Sequence, residues 1–393
     1  MVENAGRARA PVPPTQKKSR SRAAAQAAFL VAVSLAIGLL IAEGLIRWLA
    51  PQSLAVPLYE YSKGIAVNRS NADGSASVPG LFSVAYRTNA QRFRGTAEYS
   101  PVPAPGVLRI AAIGDSLTFG LGAQDHEAYP AVLQRLLGRT GRVEVINAGV
   151  PGTGTGNHAL IYGEFVARYR PHVVLLGVYA NDVADELSAP MFRASPNGSL
   201  APVPLAERQQ RVRDIERARG AVNAIPGYAF LAQHSHLLAV VRRAATTLLA
   251  DDPAPRSDGA NRAQLRQRFQ SEGLPLVTGA VRTLGRSIAN SGAELVIVVL
   301  PARETLYGDA GQAADEVRWQ ADRIRIALAA VAAQERLTLL DLTEPMKRRA
   351  SSGQDLYYRG ADFHPRPSGY AAIAAELAHH LQDRLHRIAR APR

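Results

Sequence analysis

The segment Leu108–Ile113 is mostly apolar, ends on a β-branched residue and stops at Gly114-Asp115-Ser116. A short run that is apolar on both faces reads as a buried strand of a parallel sheet, not as an alternating surface strand. A parallel sheet delivers the residues after each strand to its carboxyl edge, which is where α/β folds build their sites. Four further runs have the same character: Val143–Asn147, Val173–Tyr179, Glu294–Leu300 and Thr338–Leu342. Between and after them lie helical stretches near Ala128–Leu137, Thr155–Arg168, Ala263–Ser291, Ala313–Gln334 and Pro367–Ile388, the last with an apolar stripe at Ile373, Leu377, Leu381 and Leu385. This alternation predicts an α/β domain, a three-layer sandwich whose central parallel five-stranded sheet is flanked by helices on both faces.

Ser116 therefore falls at the carboxyl edge, where it is either the cap of the next helix or a nucleophile. A hydroxyl needs a base, and the base needs an orienting carboxylate. Asp362-Phe363-His364-Pro365 offers both, on the loop before the last helix and at the same edge. Asp362 and His364 occupy alternate positions, so an extended segment points both to one side. Asp355 and Asp341 are the competing carboxylates for the imidazole. Asp115 reads as a cap or as an orienting group of the serine loop.

These blocks resemble the SGNH/GDSL hydrolases. Gly114-Asp115-Ser116-Leu117 matches the first landmark of that family, and Asn147-Ala-Gly-Val-Pro-Gly152 matches the glycine after the second strand. Tyr179-Ala180-Asn181-Asp182 matches the Gly-x-Asn-Asp block with tyrosine in place of glycine. The fourth landmark is Asp-x-x-His, and here Asp362 precedes His364 by two residues instead of three. The resemblance covers roughly 107–191 and 292–390. It implies a flavodoxin-like strand order, a Ser116-His364-Asp362 triad, and an oxyanion hole from the Ser116 N–H, the Gly152 N–H and the Asn181 amide. Asp-x-His spacing and Leu300-Pro301-Ala-Arg303-Glu304-Thr-Leu-Tyr307 are similar to the alginate O-acetyltransferase branch.

Ala23–Ala42 is a twenty-residue stretch without charge, preceded by the basic cluster Lys17-Lys18-Ser-Arg20-Ser-Arg22. Twenty residues at helical rise span ~30 Å, the thickness of a hydrocarbon core. Basic residues stay cytoplasmic, so the remainder of the chain is expected outside. A cleavable signal peptide is the rival reading, but the run is long for one and no clear cleavage site follows. The expected organisation is a basic disordered cytoplasmic tail over 1–22, a transmembrane signal-anchor over 23–42 and an extracytoplasmic linker over 43–106 with a short strand pair near Phe82–Arg94. The hydrolase-type domain then occupies 107–390. An insertion at 187–270 holds Pro/Ser/Asn loops (Ser195–Pro204), a charged helix (Leu205–Arg219), an apolar one (Tyr228–Leu249) and the Asp251-Asp-Pro-Ala-Pro break; it is either a lid or a structural addition.

The absence of cysteine excludes disulfide staples and thiolate metal sites, and the net charge is +13. The excess charge is partly in the tail and otherwise scattered, without the aromatic interleaving of a nucleic-acid surface, so no nucleic-acid partner is expected. Gly152-Thr-Gly154-Thr-Gly156 lacks the Lys-Ser/Thr of a phosphate loop, and the other histidines form no cluster at metal-ligand spacing, so neither cofactor nor metal is expected. The expected activity is removal of an O-acyl group, acetyl first, from a glycan or another small ester. The alternatives are an O-acetyltransferase of an exported polysaccharide and a catalytically silent glycan-binding envelope component.

Overall fold

The computed structural model describes residues 16–55, 59–194, 200–249, 259–360 and 362–390. Most of the basic tail, part of the Ser195–Pro204 loop and the Asp251-Asp-Pro-Ala-Pro break lie outside the described residues. Five strands form the central sheet: β1 Leu108–Ile113, β2 Val143–Asn147, β3 Val173–Val178, β4 Glu294–Val299 and β5 Thr338–Asp341. Their spatial order is β5-β4-β3-β1-β2 and every adjacent pair is parallel. This is the flavodoxin-like order, with the topological switch between β1 and β3.

The strands are apolar on both faces because both faces are covered. Ile113, Ile146, Leu176 and Ile297 pack with Val281 and Leu284 of helix Leu274–Asn290 on one side. Ile110, Val145, Leu175 and Val298 pack with Leu133 of helix Tyr129–Leu137 and Ile373 and Leu377 of helix Pro367–Arg390 on the other. Helix Thr155–Ile161 continues as a wider turn over Tyr162–Val166 and a tight one over Ala167–Tyr169, which Arg170 ends in the left-handed region.

The segment expected as a linker is structured along much of its length. Tyr59–Ser62 pairs with Ile65–Asn68, and Ala72–Val78 pairs with Phe82–Thr88 and with Leu54–Ala55. Of the strand pair expected near Phe82–Arg94, one strand, Phe82–Thr88, lies in that range and its partner, Ala72–Val78, lies before it. Ile65, Val67 and Phe93 are buried in the same core as β1 and β3. Ala-Asp-Gly-Ser-Ala-Ser-Val over 72–78 hides its strand character, because polar residues alternate with small ones and only Ala76 is fully buried.

Arg94, also in this segment, braces the domain from within. Its guanidinium donates to the carbonyls of Phe119, Gly120 and Ala123, each at 2.6 Å, and pairs with Asp125 at 3.1 Å. An uncharged replacement leaves the buried Ala123 carbonyl and the Asp125 carboxylate without this partner and takes one donor each from Phe119 and Gly120, which keep Asn147 Nδ2 at 3.1 Å and Ala123 N at 3.2 Å. Arg94→Met is therefore expected to cost about 3–5 kcal/mol in denaturant unfolding, and a loss below ~1 kcal/mol would show that the brace is dispensable.

Helix Gln16–Leu49 stands apart from the sheet domain. Its portion Arg22–Leu49 is long and apolar enough to cross a membrane, and none of its apolar window is buried in the protein. The apolar stretch of the insertion breaks at Ser235 into helices Tyr228–His234 and His236–Leu249.

Candidate active site

After β1 the chain turns sharply at Gly114 into the short helix Ser116–Phe119. A Cβ at Gly114 would lie 2.2 Å from Thr118 Oγ1 and 3.0 Å from the Gly177 carbonyl, so the close approach of this turn to β3 requires glycine. The cap of the helix is Asp115, whose Oδ1 accepts from Leu117 N at 2.9 Å. Ser116 is thus not the cap. Its hydroxyl meets His364 Nε2 at 2.9 Å instead.

His364 Nδ1 faces Asp362 Oδ1 at 3.0 Å, and the same oxygen accepts from His364 N at 2.8 Å. An ionised carboxylate can only accept, so the ring proton belongs on Nδ1 and Nε2 is left to accept from the serine hydroxyl. Burial pushes the Asp362 carboxyl up, but the bonds from His364 and the charge of Arg303 outweigh it and hold it below the usual carboxylate range. Ser116 and His364 are both buried. Asp355 is taken by an ion pair with Arg366, and Asp341 caps Thr343 N at 2.9 Å, so neither competing carboxylate serves the imidazole.

The loop that carries His364 is pinned from three sides. Tyr358 N donates to the His364 carbonyl at 3.1 Å, and Arg366 N to the Leu356 carbonyl at 2.9 Å. Arg303 Nη1 donates to the carbonyls of Gly360 at 3.1 Å and Asp362 at 2.9 Å, while its Nη2 meets Glu304 at 3.0 Å. Tyr179 supplies the third support. Its ring lies 5.6 Å from that of Phe363 and 7° from parallel, and Phe363 in turn stacks on the imidazole at 4.4 Å. The tyrosine that replaces the family's glycine is therefore one end of an aromatic stack against the base. The clamp by Arg303 was not readable in the sequence, since its partners are carbonyls more than fifty residues away.

Val150 N donates to the Gly114 carbonyl at 2.9 Å, which brings the loop after β2 alongside the turn that carries Ser116. Gly152 on that loop has φ +71, a left-handed conformation that favours glycine. Asn181 Nδ2 donates to Asp185 Oδ2 at 2.8 Å, and the same side chain helps hold the Asp115 charge. An oxyanion would have to compete with these carboxylates for the amide.

Several buried carboxyls lie behind this loop. Burial pushes Asp115 up and Asp182 well up, the proximity of each to the other adding to the shift of Asp182. Asp182 accepts from Tyr179 N at 2.7 Å and from Thr155 Oγ1 at 2.9 Å. Burial also raises Asp185 to about 6 and lowers His158 to about 3, so that imidazole stays uncharged. Among the described residues, no group of three His, Asp, Glu or Cys side chains is placed to hold a metal ion.

The GDSL-like lipase/acylhydrolase family model matches residues 112–372, about two thirds of the chain. The chain belongs to this family. It is therefore a serine hydrolase of the SGNH type. No curated protein matches the sequence. Solved structures that resemble it include a G-D-S-L family protein from Desulfitobacterium hafniense, with 16% identity over 69% of this chain and 98% of that one at a TM-score of 0.34. A catalytic mutant of Axe2, an acetylxylan esterase from Geobacillus stearothermophilus, shares 12% identity over 70% and 93% at 0.40. LAE5, an α/β hydrolase enzyme from the metagenome of Lake Arreo, Spain, shares 15% over 69% and 93% at 0.40. The assignment rests on the family model and on the geometry above.

Proposed function

We propose that the protein is a membrane-anchored, extracytoplasmic esterase that removes an O-acyl group, acetyl first, from a glycan. The observation that carries the chemistry is the unbroken line from Ser116 Oγ through the His364 ring to Asp362, with links of 2.9 and 3.0 Å. Ser116 Oγ attacks the ester carbonyl and its proton passes to His364 Nε2. The imidazolium, balanced by Asp362, then protonates the departing sugar oxygen and leaves an acyl-serine. Water, deprotonated by the same nitrogen, attacks the acyl carbon and the proton returns to Ser116 as the carboxylic acid leaves. Ser116 N–H, Gly152 N–H and the Asn181 amide are the proposed oxyanion donors, each good donor supplying ~3–4 kcal/mol.

An O-acetyltransferase is the second reading, favoured by Asp-x-His spacing and by the segment around Arg303. It uses the same residues with a sugar hydroxyl in place of water. Full-length protein incubated with p-nitrophenyl acetate, with and without oligosaccharide acceptors, separates the two. Free acetate with no acetylated sugar supports the esterase; acetylated sugar formed at the expense of free acetate supports the transferase. No turnover of any ester would leave the glycan-binding component.

For topology, the basic cluster Lys17–Arg22 before the uncharged span supports an inside N-terminus. A reporter fused after Arg393 is expected to work only if it functions outside the cytoplasm. Activity of a cytoplasm-only reporter there would reverse the orientation.

A further inference from the structure

The helix pair Tyr228–His234 and His236–Leu249 is fastened to the end of helix Gln16–Leu49, not to the sheet edge where a lid would act. Glu43 accepts from Ser235 Oγ at 2.8 Å, His236 N at 3.0 Å and Leu237 N at 2.9 Å, so its carboxylate caps the helix His236–Leu249. Arg47 donates to the His234 carbonyl at 2.9 Å, and Gln52 N to His236 Nδ1 at 2.7 Å. Five hydrogen bonds thus tie the pair to residues 43–52.

What the pair presents outward is apolar. Among the described residues, ten large apolar side chains beyond Leu49 are well exposed; three of them, Phe230, Leu231 and Val241, lie on the pair, and Val222 and Ile225 lie just before it. Phe230 is 65% exposed and Val241 52%. On a helical projection of His236–Leu249, Leu237, Leu238 and Val241 share one arc, while Arg242, which is exposed, falls on its polar side. Residues 225–249 contain no Asp or Glu. An apolar arc edged by arginine without acidic residues is the pattern of a helix that lies in a headgroup layer and favours anionic lipid.

We infer that this helix pair rests on the surface of an anionic bilayer beside the anchor, and so fixes the height and tilt of the catalytic domain above the membrane. The inference rests on the proposed membrane anchoring of helix Gln16–Leu49. Continuity decides the occupant. The patch is joined to the residues immediately after the apolar span, so a bilayer crossed by that span meets it.

The chain has no cysteine, so single cysteines introduced at Phe230, Val241, Leu35 and Ile326 can each carry a bimane label without other changes. Ile326 is an exposed apolar residue on helix Gln312–Glu335 and serves as the water-facing control. Each labelled full-length protein, its fold checked by circular dichroism, is reconstituted into phosphatidylcholine/phosphatidylglycerol vesicles with lipids nitroxide-labelled at shallow or deep positions. Labels at 230 and 241 are expected to lose about half their emission or more to shallow nitroxides, with the label at 326 unaffected. The label at 35 should be quenched by deep nitroxides. Quenching at 35 with labels at 230 and 241 as bright as that at 326 would overturn the inference while leaving the anchor intact. No quenching at 35 would remove the anchor and the inference together. Blue-shifted emission at 230 and 241 without lipid quenching would assign the patch to a second copy of the chain instead, which also overturns it.

Discussion

Ser116→Ala is expected to lower kcat on p-nitrophenyl acetate by at least ~10³-fold, because removal of one triad member leaves only oxyanion and binding contributions. The loss should appear in kcat, since the hydroxyl acts on the reacting carbon and contributes little to ground-state binding. Folding should be untouched, because the helix is capped by Asp115 and the serine hydroxyl supports no backbone group among the bonds described. Unchanged turnover would place the nucleophile elsewhere and sink the proposed chemistry.

Asp362→Asn is expected to cost ~10³- to 10⁴-fold in kcat with nearly native stability. Two outcomes are open to the amide, and both are damaging. If its oxygen keeps the bonds to His364 N and Nδ1, the charge that balances the imidazolium is gone. If the amide turns its nitrogen to the ring, Nδ1 must accept, the proton moves to Nε2, and the base can no longer take a proton from Ser116. The effect should exceed that of Asp355→Asn by orders of magnitude, since Asp355 is occupied by Arg366. Near-wild-type activity of Asp362→Asn would assign the orienting role to another group.

The strands were legible because buried parallel strands write themselves as uniform apolar runs, while their order was implied by the family resemblance. Leu108–Ile113 and Val143–Asn147 were found with the observed ends, and the other three ran one residue too far, into the site loops. Ser116, His364 and Asp362 were legible as residues because motif spacing placed each at a sheet edge, and the structure brings them into one hydrogen-bonded line. Gly152 and Asn181 were named from the same resemblance. Their part in an oxyanion hole is a proposal, and Asn181 is found bonded to Asp185. The supports of the site were not legible. Arg94 and Arg303 act on carbonyls, which every residue has, so their partners leave no mark in the sequence. The strands of 54–88 were hidden for a related reason: they are polar, short and half-buried, and tertiary pairing overrides their weak intrinsic signal. The break at Ser235 was missed because it depends on Glu43, nearly two hundred residues earlier.

Ser116 and His364 are separated by 248 residues, and Tyr370 reaches back to the Leu121 carbonyl over 249. A ribosome releases Ser116 long before the imidazole that would activate it exists. The nascent chain can complete β1 to β4 and remain nearly inert, because an unassisted hydroxyl is a poor nucleophile at neutral pH. On the proposed triad, activity begins only when the loop that carries His364 closes over the sheet. A product truncated before His364 would lack helix Pro367–Arg390, whose Ile373 and Leu377 cover one face of the sheet, and with it the imidazole that the proposed chemistry needs.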